Sequence, residues 1–228
     1  MGLGVYVGSF TRYHTRERET VVPRTAHEPG TRLQTLRTNP EPPDKITDPA
    51  VVHQVVDHWR RSLEAGLKSH LPEGLSWDER ADAPCFTDKP NWVGYTGIML
   101  LAASTEQATA PGDKGGAFQA SATVNFKSRY FQLFNAEIWL PCDFQFIFKA
   151  TDVVGNQVLF GSSVTLLDQL KRLNDESYRG SDEDLAEWKF AGASPKDSFE
   201  RSARFGLAMF LHHAQLSVRH RLPMKLDY

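Results

Sequence analysis

In several runs between Phe118 and Phe160 apolar residues recur at every second position, whereas on either side they recur at spacings of three and four. A period of two marks strands with one buried face, and a period near 3.6 marks amphipathic helices. Phe118, Ala120, Ala122, Val124 and Phe126 alternate with polar residues, as do Phe134, Ala136, Ile138 and Leu140, and then Phe144, Phe146 and Phe148. Gly155-Asn156 joins Val153-Val154 to Val158–Phe160 and suits a tight hairpin. These segments predict an antiparallel β-meander of about four or five strands whose apolar face is covered by helices.

The helices announce themselves by their caps. Asp48-Pro49 supplies an N-cap and a proline at the first helical position. Val52, Val55, Val56, Trp59 and Leu63 then share a face, and the helix is expected to end near His70, before Pro72. A second helix is expected over Trp92–Ala108, a third from Ser162 or Ser163 with Leu166, Leu167, Leu170 and Leu173 apolar, and a short one from Ser181 carrying Leu185, Trp188 and Phe190. Ser194-Pro195 reads as the opening of the last helix, and Gly206–Leu211 is apolar nearly all round, which places that helix through the centre. Residues 3–10 read as a short strand. Between Thr11 and Thr47, Pro23, Pro29, Pro40, Pro42 and Pro43 interrupt every regular pattern, leaving a long irregular Pro/Arg-rich region. Strands grouped centrally with about four or five α-helices around them predict a single α+β domain rather than a βαβ alternation.

That organisation narrows the function. No glycine-rich loop follows a strand and opens a helix, so a nucleotide-binding Rossmann or P-loop reading loses both scaffold and motif, and no cofactor is expected. The net charge of −2 gives no global field for nucleic acid or an anionic membrane. Charge is nonetheless segregated. Arginines crowd residues 11–38, basic residues crowd 196–225, and acids crowd 73–88 and 175–187. Two isolated cysteines, Cys85 and Cys142, signal neither a zinc site nor a disulfide framework and suit a reducing compartment. No basic flank with an apolar core opens the chain, and no apolar run is long enough to span a bilayer, so a cytoplasmic protein without a membrane segment is expected.

Histidines and serines offer little catalytic signal. His53 and His58 are five apart and diverge on a helix, and His212 and His213 are adjacent, so no metal site is expected. Gly161-Ser162-Ser163 lies between a strand and a helix, where a serine most often caps the helix. The stretch richest in recognition chemistry is Tyr6 to Arg24. Tyr6, Arg12, Tyr13 and Arg16 combine planar aromatic surface with guanidinium groups, the usual anchors of binding surfaces, although Glu17 and Glu19 neutralise part of that charge. Glu137 and Trp139 lie mid-strand on the face opposite the apolar stripe, where the N-terminal segment could meet them. The expectation is therefore a non-enzymatic, cytoplasmic protein-binding domain, such as an immunity or antitoxin-like inhibitor or an accessory protein. The alternative is an enzyme whose nucleotide or phosphorylated substrate is held by the Arg/Tyr-rich segment.

Overall fold

The computed structural model describes residues 2–15, 48–71, 73–107 and 127–227. In chain order the elements are β1 (Gly4–Val7), α1 (Phe10–His14), α2 (Pro49–Leu67), β2 (Phe86–Asp88), α3 (Asn91–Glu106), α4 (Phe131–Asn135), β3 (Ile138–Leu140), β4 (Phe148–Thr151), β5 (Gln157–Ser162), α5 (Ser163–Glu176), α6 (Asp182–Ala191), α7 (Phe199–His220) and β6 (Met224–Asp227). The α+β class holds. The caps do their expected work: Asp48 accepts from the Ala50 amide ahead of α2, Ser162 accepts from Thr165 ahead of α5, and Ser181 and Asp184 form a reciprocal capping box on α6.

Among the described residues the antiparallel meander holds only in part, as the β4–β5 hairpin. The six strands make one mixed sheet in the order β2-β1-β6-β3-β5-β4. β3 runs parallel to β5 and antiparallel to β6, so the C-terminal strand is inserted between the first strand and the middle of the chain. Two of the alternating runs are not continuous strands. Phe134 and Asn135 belong to α4, and the strand begins only at Ile138. Residues 144–147 make no ladder because side chains satisfy their backbone instead. The Phe144 carbonyl accepts from the Thr165 hydroxyl, and the Phe146 carbonyl accepts from the Gln132 amide. The run from Phe118 to Phe126 lies outside the described residues, as does most of the Pro/Arg-rich region 11–47.

The hairpin is real but wider than the sequence suggests. β4 pairs with β5 from Thr151↔Gln157 to Phe148↔Phe160, and Asp152 Oδ1 accepts from the amides of Val154 and Asn156 to close the turn. Gly155, at φ 94°, takes the left-handed position. The last helix starts four residues later than Ser194-Pro195 implied. Ser194 and Asp197 bond to each other in a turn, and Ser198 is the cap, accepting from Arg201.

Helices bury both faces of the sheet. On one face Val5, Val7, Trp139, Met224 and Leu226 join Ile98, Leu101, Leu166, Leu170, Leu207 and Phe210 of α3, α5 and α7. On the other, Ile138, Leu140 and Phe160 join Phe10, Val52, Val56, Trp77 and Phe144 under α1 and α2. α7 passes through the centre, with Phe205 to Leu211 all buried.

Its approach to α3 is exceptionally close. A Cβ at Gly97 would stand 2.6 Å from the Ser202 carbonyl carbon, and one at Gly206 would run into the Gly94 carbonyl. Only glycine lets the two backbones touch this way. Gly206→Ala is therefore expected to lower stability. Overpacking against a backbone oxygen costs roughly 1–3 kcal/mol and exceeds the ~1 kcal/mol gained in helix propensity. Gly66 on α2 has no atom within 4 Å of its would-be Cβ, so Gly66→Ala should raise stability by about 0.5–1 kcal/mol. Urea unfolding of both variants checks the pair. A Gly206→Ala protein as stable as its parent would mean that the helices are not in backbone contact.

Candidate functional site

The N-terminal residues singled out from sequence fall on two adjacent elements, β1 and α1. Tyr6 is buried in β1 and donates to the Ser9 carbonyl at 2.9 Å. Arg12 and Tyr13 do not sit in a loop; they are half-buried on α1. Arg12 donates to the Ala83 carbonyl at 2.8 Å, and Tyr13 donates to Asp227 Oδ1 at 2.9 Å. The Tyr13 ring meets Tyr6 edge-on at 5.0 Å and carries the Lys225 ammonium 4.4 Å above it. Tyr6 and Tyr13 are thus brought together across β1 and β6. Arg16 lies outside the described residues. Glu137 is half-buried at the entry to β3, its backbone bonded to both Leu159 and Leu226.

Trp139 is not exposed opposite the apolar stripe; it is fully buried and donates its indole N–H to the Gln132 carbonyl. It faces Phe210, on the sheet face away from α1. The reason is that β3 is covered on both sides, so alternation along it separates two cores rather than core from water.

A buried carboxylate fixes α1 itself. Glu79 accepts from the amides of Phe10 and Thr11, the Thr11 hydroxyl and the Trp77 indole N–H. Those amides are the donors that a helix N-terminus leaves unpaired, which accounts for a carboxylate only 4% exposed. Buried polar side chains elsewhere serve the backbone in the same way. Gln132 accepts from the Ser162 amide and donates to Phe146. The Ser162 hydroxyl caps α5 and donates to the Cys142 carbonyl, while the Ser217 hydroxyl donates to the Leu222 carbonyl and is hydrogen-bonded to the Ser163 hydroxyl.

The open surface with recognition chemistry lies elsewhere, between α6 and α7. α6 is fastened along one side. Arg204 of α7 sits between the rings of Tyr178 and Trp188, at 4.9 and 5.2 Å, and pairs with Glu200 at 2.6 Å. Arg201 donates to the Ala191 and Gly192 carbonyls at the end of α6. None of the α6 side chains is fully buried. The other side of α6 and the outer face of α7 enclose a cleft of about 810 Å³, floored by Leu167, Leu185 and Leu211 and rimmed by Asp182, Lys189 and Arg219. Phe190 stands at its edge, 94% exposed.

Sequence reasoning placed Leu185, Trp188 and Phe190 on one short helix without separating their directions. Residues two apart on a helix point about 200° apart, so Trp188 and Phe190 cannot both face α7. That spacing was the available signal.

His212 lines this cleft, and its neighbour His213 is buried behind it. Burial, reinforced by the Lys189 ammonium, lowers the pKa of His212 from its ordinary value. His213 is 1% exposed, donates its Nδ1–H to the Met209 carbonyl, and is pushed down to about 4 by burial. Among the described residues no three His, Cys, Asp or Glu side chains cluster in a way that could hold a metal, and no helix is long and apolar enough to cross a membrane. Against known proteins, no family model matches the chain, and neither a curated protein nor a solved structure shows a significant match.

His213 makes stability depend on pH in a defined window. Its folded value lies below the unfolded one, so the stabilisation is complete above about pH 6.5 and is lost as pH falls towards 4. The unfolded chain binds a proton in that interval and the folded chain does not, which removes about 3 kcal/mol. Urea unfolding of the parent and of His213→Gln at pH 7 and pH 4.5 isolates the effect, because carboxylate contributions cancel in the difference. The parent should lose more stability than the variant; equal losses would mean that His213 is charged in the fold.

Proposed function

We propose that this chain is a non-catalytic protein-binding domain, of the immunity, antitoxin-like or accessory kind, and that it receives protein in the cleft between α6 and α7. The observation that carries this reading is Phe190, an aromatic side chain 94% exposed at the edge of a cleft with a leucine floor and a charged rim. Burying such a side chain is worth roughly 1.5–3 kcal/mol, and α6 withholds it from the fold while seating Trp188 of the same helix against Arg204. Aromatic anchors beside pockets, with charged groups at the rim, are the recurrent energetic centres of protein interfaces.

The non-catalytic part of the reading is supported by how the buried polar side chains are used. Glu79, Gln132, Ser162 and Ser217 are each engaged with backbone groups of the chain itself. Arg12 and Tyr13 are engaged with Ala83 and Asp227, so the cleft rather than α1 carries the proposal.

Substitution separates the cleft from other exposed apolar residues. Val154, 62% exposed at the tip of the β4–β5 hairpin, is the control. Tagged parent, Phe190→Asp and Val154→Asp are recovered from the native cell, and the protein bound to each is quantified. Phe190→Asp should bind at least roughly 30-fold more weakly, with Val154→Asp unaffected and all three melting alike. Equal recovery by the three would overturn the proposal, as would turnover of a nucleotide or phosphorylated substrate by the purified parent.

A further inference from the structure

We propose that the occupant of the α6–α7 cleft is a second copy of this chain, with each copy inserting its Phe190 into the cleft of the other across a two-fold axis. The inference rests on the reading that the cleft receives protein, and it names which protein.

Its basis is that one surface carries both halves of a contact. Phe190 is a projecting knob and Leu167, Leu185 and Leu211 floor a hole, and all four border the same cleft. Phe190 does not fill that hole from within its own chain; it stands 94% exposed. A surface that holds knob and hole side by side is self-complementary. A two-fold rotation satisfies both at once and closes the assembly, whereas a hole distant from the knob would propagate into a filament. A different protein would have to supply a matching knob and a matching hole together.

Charge follows the same pattern. Asp182 stands on the rim in the first turn of α6, and Arg219 in the last turn of α7. Both are exposed, and among the described residues neither has an ion-pair partner. With opposite signs on one rim, a two-fold can set Asp182 of each copy against Arg219 of the other, so charge also favours like meeting like. The volume of about 810 Å³ is more than one ring requires. It lies within the roughly 300–1,000 Å³ of pockets that enclose a drug-sized ligand, so side chains flanking Phe190 on α6 can enter with it.

Sedimentation of the purified chain alone, from low micromolar to about 200 µM, reads the association directly. The parent should dimerise, and Phe190→Asp should remain monomeric, its dissociation constant raised at least roughly 30-fold. Gln215→Trp fills the cleft while leaving the knob intact, and it should also be monomeric. Mixing the two variants restores one of the two knob-and-hole contacts, so the mixture should form heterodimers where neither variant pairs with itself. A parent that is monomeric throughout overturns the inference, as does a Phe190→Asp dimer of undiminished strength or a mixture no better associated than its components. A monomeric parent whose bound heterologous protein is still lost on Phe190→Asp would overturn this inference and leave the protein-binding reading standing.

Discussion

Helix α7 lies where it does because Gly94, Gly97 and Gly206 let two helices meet at their backbones. A pair of ordinary helices stays 8–10 Å apart because side chains fill the space between. Here the missing side chains let α7 sink towards α3, and Phe205 to Leu211 are all buried. Much of the remaining architecture follows from that depth. Leu207 and Phe210 fill the space between the sheet and α3 and α5. The chain leaving α7 then turns at Arg221, in the left-handed conformation, and runs straight into the sheet as β6. The outer face of the same helix is left to form one wall of the cleft.

Buried polar groups complete what packing leaves unpaired. Glu79 holds the first amides of α1, which no helical carbonyl pairs, beside Trp77, and Gln132 bridges the start of α5 to the strandless segment around Phe146. A carboxylate or amide in these positions offsets its own desolvation by satisfying backbone donors and acceptors that would otherwise be orphaned. That explains how an irregular stretch such as residues 144–147 can lie against the core without joining the ladder.

Local signals in the sequence locate α2, α5 and α6 to within a few residues, because Asp48-Pro49, Ser162 and Ser181 are caps whose chemistry is local, and α3, which has no side-chain cap, shows through its apolar run. The apolar stretch from Gly206 to Leu211 likewise revealed the central helix. Sheet order was not legible. Alternation at Ile138–Leu140 records two buried faces rather than one, and no local pattern says that four residues after α7 will slot between β1 and β3. Tyr6 and Tyr13, close in sequence, meet on the α1 side of the sheet, and Trp139 is separated from them by the sheet itself. The cleft escaped notice because it depends on how α6 is rotated, and only the offset between Trp188 and Phe190 hinted at that.

If the α3–α7 contact is the foundation of the fold, α7 should be the last element to open. Native-state hydrogen exchange across the chain measures this residue by residue. The account predicts that the amides of Leu207 to Leu211 exchange only through global unfolding, with a free energy equal to that from urea denaturation, while those of α6 open at a much lower cost. Exchange of Leu207 to Leu211 at a free energy as low as that of α6 would contradict it.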